Sequence, residues 1–353
     1  MPYKYVRIAG NRRQVGVALG KLARPLMATY LDQSATWKAL RPWRGHPYVA
    51  ELGEQARAAL PAVWEELEGL AEGLGLPLAD VLLWNCRGDL LHSSGSGDGC
   101  TSVALKAADG TRWIGHNEDG DPFLYGRCHL VDVALDDAPG YLSFYYPGSL
   151  PGHTFGANRH GLVQTINNLR TRLRQRGVPR MLLARAVLDC ATLDEAVALL
   201  GDAPRAGGFH HTLGSAADAR VFSVEASPGA ASVLEIGTRY GHANHMVHQA
   251  SRGQTQIITD SSRERQRRIE GIVDTWSPAT VGADLLTALH DTEGELPILR
   301  TDPKDPDGEN TLATAIFEIG DGEVTLRVYD RKPKADIVLD VMNDPDDAAP
   351  GPA

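Results

Sequence analysis

Cys100 follows directly on a glycine-rich stretch, Ser94-Gly-Ser-Gly-Asp-Gly99, and opens a strand-like run, Cys100-Thr-Ser-Val-Ala-Leu105. A cysteine in that place is suited to become a new amino terminus. Cutting the Gly99–Cys100 bond gives one residue both a thiol and an α-amine. The thiolate is the reactive form of cysteine. An α-amine titrates near ~7.7–8.0, so it can be neutral near pH 7 and take the thiol proton. The thiol could make the cut itself by attacking the carbonyl before it, and glycine at position 99 tolerates the dihedrals this requires. The alternative is a buried structural cysteine after a linker. Cys86, Cys128 and Cys190 are the controls: each lies within an expected regular element and none follows a glycine run.

Other residues could serve such a nucleophile. Gly115-His-Asn-Glu-Asp-Gly120 contains Asn117 and Asp119. Adjacent strands of one hairpin can bring Asp119 beside Cys100, where a carboxylate would orient the amine. Gly241-His-Ala-Asn-His-Met246 places Asn244 between two histidines, and a carboxamide N–H is a suitable donor to a tetrahedral oxyanion. A competing chemistry is metal-dependent hydrolysis. His242, His245 and His248 have the spacing H-x-x-H-x-x-H, but on a strand, steps of three put neighbours on opposite faces. The glycine run is no phosphate loop, since it precedes a strand and lacks the Gly-Lys-Ser/Thr ending.

The elements that would position these residues change in texture at Cys100. Residues 1–99 read as a helical pro-segment. Helices are expected over Arg12–Asp32, over Tyr48–Leu74 with Pro61 dividing it, and over Pro77–Leu91. From Cys100 the chain reads as strands in bundles, starting with a hairpin around Asp109-Gly110. Further strands are expected over His129–Ala134, Leu142–Tyr146, Gly152–Ala157 and Leu162–Asn167, then over His210–Ser215, Ala219–Glu225 and Ala231–Ile236. Helices are expected over Val178–Leu200, Ser261–Val273 and Ala279–His290, and a last hairpin over Thr311–Tyr329. The catalytic part spans 100–342, and 343–353 reads as a disordered tail. The whole is expected to be two antiparallel sheets covered by helices.

Composition excludes several classes. The chain has 353 residues, 35 Lys+Arg against 45 Asp+Glu, and a net charge of −10. Residues 1–99 hold 11 basic and 10 acidic side chains, so the deficit falls on the remainder. That balance gives no basic footprint for nucleic acid. Arg263, Arg265, Arg267 and Arg268 are dense locally and read as a solvated helix face or structural ion pairs, with anion or carboxylate binding as the alternative. No apolar run approaches a membrane span, and the start has no secretory h-region, so a cytoplasmic protein is expected. Four scattered cysteines suggest neither a disulfide framework nor structural zinc.

Taken together, Gly99-Cys100-Thr101-Ser102, Asn117-x-Asp119 and His242-Ala-Asn244-His245 resemble the acyl-coenzyme A:6-aminopenicillanic acid acyltransferase family, peptidase family C45 of the cysteine Ntn hydrolases. Leu83–Asp89, Gly156–Leu162, Asp260–Arg268 and Thr311-Leu312 resemble further family segments, so the likeness runs from about Arg12 to Tyr329. The resemblance implies an α+β αββα four-layer sandwich and self-cleavage between Gly99 and Cys100, with the two chains staying associated. It implies Cys100 as nucleophile, Asp119 as partner of the new amine and Asn244 as oxyanion donor. Asn117 and Asn158 are lesser candidates near the substrate. It implies no cofactor and no metal, and a small-molecule amide or acyl-CoA-like substrate. One departure stands out. The family's Ser-Arg pair before Thr-Leu is replaced by Pro306-Asp-Gly-Glu-Asn310, which argues against penicillin chemistry and leaves hydrolysis or acyl transfer on another substrate open. A non-catalytic binding module on the same fold is the remaining reading. Trp113, Tyr145, Tyr146 and Phe155 are candidates for an apolar pocket or for core.

Overall fold

The computed structural model describes residues 3–91, 99–277, 279–302 and 308–343. Most of the glycine run, the middle of the 301–310 loop and the tail beyond Asn343 lie outside the described residues.

The amino-terminal segment is not all helix, as the sequence suggested. It opens with β1 (Lys4–Gly10), which pairs in parallel with β4 (His129–Leu135). The first 99 residues thus supply a strand to a sheet that otherwise belongs to the second part of the chain. Between them lie α1 (Arg12–Gln33), α2 (Ala35–Leu40), α3 (Pro47–Ala59), α4 (Pro61–Leu74), α5 (Leu78–Asn85) and α6 (Arg87–Leu90), followed by β2 (Cys100–Lys106) and β3 (Arg112–Gly120). Asn11 and Gln14 form a capping box that fixes the start of α1. Pro61 occupies the first turn of α4, where its missing N–H leaves no bond unmade. The helix expected over 77–91 breaks at Cys86, whose φ of −100° and ψ of 6° leave the helical region. Helices α1 and α4 touch backbone to backbone. A Cβ on Gly16 would lie 2.1 Å from the Glu66 carbonyl oxygen, and one on Gly20 would lie 2.4 Å from that of Leu70.

After β4 come β5 (Tyr141–Tyr145), β6 (Phe155–Asn158) and β7 (Leu162–Leu169), then α7 (Arg180–Val187) and α8 (Leu193–Asp202). The helical span expected over 178–200 is two helices, and the second starts at Thr192-Leu-Asp-Glu195, the capping box its sequence suggests for the second half. The chain closes with β8 (Gly208–Ser215), β9 (Asp218–Ala226), β10 (Ala231–Glu235), β11 (Arg239–His242), α9 (Asp260–Asp274), α10 (Gly282–Leu289), β12 (Asn310–Ile319), β13 (Val324–Tyr329) and β14 (Ile337–Asp340). Strand β14 was not foreseen.

Among the described residues these strands form an eight-stranded sheet, β1-β4-β5-β6-β7-β8-β9-β10, and a six-stranded sheet, β11-β2-β3-β12-β13-β14. Strands β2 and β3 pack on β7, which joins the sheets face to face. Helices α1 and α8 cover the outer face of the large sheet, and α9 and α10 cover that of the small one. This is the αββα sandwich.

Alternation along β2 decides what faces where. Val103 and Leu105 pack outward among Ile269, Val273, Leu285 and Leu289 of α9 and α10. Ser102 points inward and meets Thr165 and Asn167 of β7. Both faces of the strand are therefore buried, and the inward face carries polar groups where a core would carry apolar ones.

One ion pair ties the two parts of the chain through the core. Glu66 of α4 accepts from Arg185 of α7 at 2.9 and 3.1 Å, and from Tyr141 at 3.2 Å. Both partners are fully buried. Removing one member of such a pair leaves a buried charge short of a partner, at about 3–5 kcal/mol. Without Glu66 the Arg185 guanidinium would keep only Asp189, at 2.9 Å, as an ion partner among the described residues. Glu66→Ala is expected to lose about that much unfolding free energy in denaturant titration, whereas a loss under about 1 kcal/mol would show the pair to be dispensable.

Candidate active site

Cys100 is the first residue of β2 and is buried. Its strand is paired with β3 so that Cys100 lies directly opposite Glu118. The carbonyl oxygen of Gly99 accepts from the Asp119 N–H at 2.9 Å. The carbonyl that a Cys100 thiol would attack thus already has a backbone donor on its oxygen, the arrangement that stabilises developing negative charge.

The Cys100 nitrogen is held from the other side. Its N–H donates to Asn244 Oδ1 at 2.9 Å. Asn244 Oδ1 also accepts from Arg265 at 2.6 Å, and Asn244 Nδ2 donates to the Asn168 carbonyl at 3.2 Å. Arg265 donates as well to the carbonyl of Cys100 and to Thr101 Oγ1. This arginine was read as part of a solvated face or a structural ion pair. The structure corrects that: it is fully buried and clamps the residue next to the expected cut. Burial, together with the nearby Arg300, lowers its affinity for its proton. Arg263 and Arg267 do lie on the exposed face, in pairs with Asp260 and Glu264, and Arg268 meets Asp291 and Glu293.

Asp119 points away from the Cys100 thiol, because β3 alternates. Its carboxylate accepts from Thr311 Oγ1 at 2.6 Å and lies 4.0 Å from Arg300. Arg300 is ion-paired with Glu309, which Arg170 also meets at 3.3 Å. Burial lifts Glu309 to about 7 against the pull of Arg300, Arg170 and Arg265. Arg300 and Arg265 thus bring positive charge close to Asp119 and Glu309, near Thr311.

The inward neighbours of Cys100 were not singled out from sequence. Cys100 Sγ donates to Glu118 Oε2 at 3.6 Å. Glu118 Oε1 accepts from Tyr146 at 2.7 Å, and Oε2 lies 3.1 Å from His116 Nε2. His116 Nδ1 meets Ser102 Oγ at 2.9 Å. Burial pushes His116 down to about 3. One ligand-type atom from each of Cys100, His116 and Glu118 lies within 4.8 Å of the others. In this arrangement the three groups are joined to one another by the Cys100–Glu118 and Glu118–His116 contacts. Burial raises the thiols of Cys86 and Cys128 well above the ordinary range and that of Cys190 to about 12.

Other candidates go elsewhere. Asn117 donates to the carbonyls of Leu289 and Ile298 and accepts from Thr314, tying β3 to β12 and α10. Asn158 donates to Leu188 and Cys190 and accepts from His160 and Leu162, which occupies its amide at the β6–β7 turn. His242 binds Glu225, His245 binds Ser262, and His248 binds Ser223 and Ser232. The three histidines do not converge on one point, which removes the geometric basis of the metal alternative. Of the aromatic candidates Tyr146 bonds to Glu118, and Phe155 packs edge-on against His116 while stacking on Phe144. Tyr145 bonds to the Leu19 carbonyl and Trp113 packs on the outer core.

The family model for acyl-coenzyme A:6-aminopenicillanic acid acyl-transferase matches residues 106–333, well over half of the chain. The match includes Asn117, Asp119 and Asn244 and begins shortly after Cys100. The beta-alanyl-dopamine/carcinine hydrolase of Drosophila melanogaster is 28% identical over 232 residues. That alignment covers 58% of this chain and 58% of the relative, so the chain spans less than two thirds of that protein's length. Among solved structures, penicillin V acylase from Agrobacterium tumefaciens superposes with a TM-score of 0.41 at 16% identity, over 65% of this chain and 82% of that one. No helix among the described residues is long and apolar enough to cross a membrane.

Proposed function

The chain belongs to the acyl-coenzyme A:6-aminopenicillanic acid acyl-transferase family, and from that premise we propose that it is a self-processing cysteine amidohydrolase or acyltransferase. The observation that carries the reading is the setting of one peptide bond. Gly99 presents its carbonyl to the Asp119 N–H while Cys100, its nitrogen held by Asn244, opens the next strand. Attack by the thiol on that carbonyl, followed by hydrolysis, leaves Cys100 as a new amino terminus. Residues 1–99 stay bound through β1 and the Glu66–Arg185 pair.

In later turnovers the Cys100 α-amine takes the thiol proton and Sγ attacks the substrate carbonyl. The amine then protonates the leaving nitrogen, and water or a second amine resolves the thioester. Asn244 Oδ1 already accepts from the Cys100 nitrogen, which suits it to hold the amine. Its Nδ2, released from Asn168, is the proposed oxyanion donor. Asp119 stabilises the charged site through Thr311 and Arg300. The substrate is a small amide. The beta-alanyl-dopamine/carcinine hydrolase makes β-alanyl amides the first compounds to try.

Intact mass of the purified protein tests the first step: fragments ending at Gly99 and starting at Cys100 are expected. A wild type that turns over amides while remaining one chain would falsify the mechanism. Adding amine acceptors to the reaction separates transfer, which yields new amides, from hydrolysis, which does not.

A further inference from the structure

We propose that Glu118, backed by His116, is the acid–base residue of the Gly99–Cys100 cut itself. The inference rests on Cys100 being a self-processing nucleophile. The first cut cannot use the base that serves later turnover. Until the bond breaks, the Cys100 nitrogen is an amide that keeps its proton and donates it to Asn244. No α-amine exists yet, so another group must take the thiol proton.

Glu118 is the carboxyl group in place. It is the cross-strand partner of Cys100, with Oε2 3.6 Å from Sγ. Tyr146 donates to Oε1 at 2.7 Å and fixes the carboxyl plane. Asp119, one residue on, turns to the other face of the sheet and meets Thr311.

Hydrogen-bond polarity locates the proton that Glu118 already shares. Asn167 Nδ2 donates to the His242 carbonyl at 3.3 Å, so its Oδ1 is the atom facing Ser102 and His210. Ser102 has one proton, and it goes to Asn167 Oδ1 at 2.7 Å. Ser102 must then accept from His116, which places a proton on His116 Nδ1. The Nε2 of the same ring lies 3.1 Å from Glu118 Oε2, so the two atoms share one proton between them.

The step follows. As Sγ bonds to the Gly99 carbonyl carbon, the thiol proton passes to Glu118 Oε2 and the shared proton is held on His116 Nε2, whose positive charge is balanced by the oxyanion for the lifetime of the intermediate. The carbonyl oxygen takes the negative charge against the Asp119 N–H. When the C–N bond breaks, the proton returns from His116 through Glu118 to the Cys100 nitrogen, leaving Gly99 as a thioester on Sγ. Water hydrolyses the thioester to the Gly99 carboxylate and the free thiol. Glu118 acts on the reacting atom, and His116 is a positioning residue and proton store behind it.

The test follows cutting of freshly made full-length chains by intact mass. Glu118→Gln keeps the shape but cannot take the proton, and cutting is expected to slow by about 100-fold or more. Glu118→Asp keeps a carboxyl group one methylene further back and is expected to fall between. His116→Gln keeps a polar atom toward Glu118 but cannot cycle a proton, so it too is expected to cut slowly. A purely structural role would leave this variant near normal. Thermal melting identifies folded variants. A folded Glu118→Gln that is cut at the wild-type rate overturns this inference and leaves the self-processing reading standing. If that variant does not fold, wild-type cutting by His116→Gln overturns it instead. A wild type that is never cut overturns both.

Discussion

Cys100→Ala will remain one chain of 353 residues and will show no amide turnover above background. Both losses come from one atom. Sγ is the group aimed at Glu118 Oε2 from the residue that follows the Gly99 carbonyl, and nothing else among the described residues there is a nucleophile of comparable strength. Removing the nucleophile of a covalent mechanism costs on the order of a million-fold in rate. The fold should tolerate the change, because the Cys100 backbone bonds to Asn244 and Arg265 survive it. Cys86→Ala and Cys128→Ala serve as controls. Their thiols sit in the core with raised pKa values, and both variants are expected to be cut and active. The measurement is mass spectrometry of the purified chains beside an amide hydrolysis assay. Cutting at Gly99–Cys100 in the alanine variant would assign the chemistry to another group.

The hairpin that carries this site was legible, but only to a point. The Asp109-Gly110 turn pairs Lys106 with Arg112, and counting outward from that pair sets Cys100 opposite Glu118. Alternation then puts Ser102, His116 and Glu118 on one face and Thr101, Asn117 and Asp119 on the other. Attention to Asn117 and Asp119 alone missed the inward pair, although polar residues at alternate positions of a strand buried on both sides were the available clue. Arg265 was hidden for a different reason. Its neighbours Arg263 and Arg267 are exposed, and a charge run does not say which member turns inward. The helix phase does say so, since Arg265 shares the buried face with Ser261, Ser262 and Ile269. Strand β1 lies outside any local signal. Its parallel partner β4 is more than a hundred residues away, and such a pairing is a tertiary choice rather than a propensity. The histidines at 242, 245 and 248 show the reverse case, a spacing that strand geometry already argues against. Their spacing looks chemical, but each ring is engaged by its own partner.

Gly99→Ala is expected to block the cut nearly as completely as loss of the thiol, for a steric reason. A Cβ built on Gly99 lies 2.1 Å from Glu309 Oε2 and 2.7 Å from Arg300 Nη1. Neither atom is a loose end. Glu309 and Arg300 are ion-paired and almost fully buried, and Arg170 holds the other Glu309 oxygen. Pushing Glu309 aside breaks a buried ion pair. Moving Gly99 instead draws its carbonyl away from the Asp119 N–H and from the approach of Sγ. A misplacement of about 1 Å at a reacting centre costs on the order of 100-fold in rate, so the variant should accumulate as a single chain over the time in which the wild type is fully cut. Glu309→Asp in the same chain withdraws the carboxylate by one methylene and should restore part of the cutting. Recovery in that double variant would tie the glycine requirement to the space in front of Glu309. Wild-type cutting by Gly99→Ala alone would show that the chain before Cys100 can approach the thiol by another path.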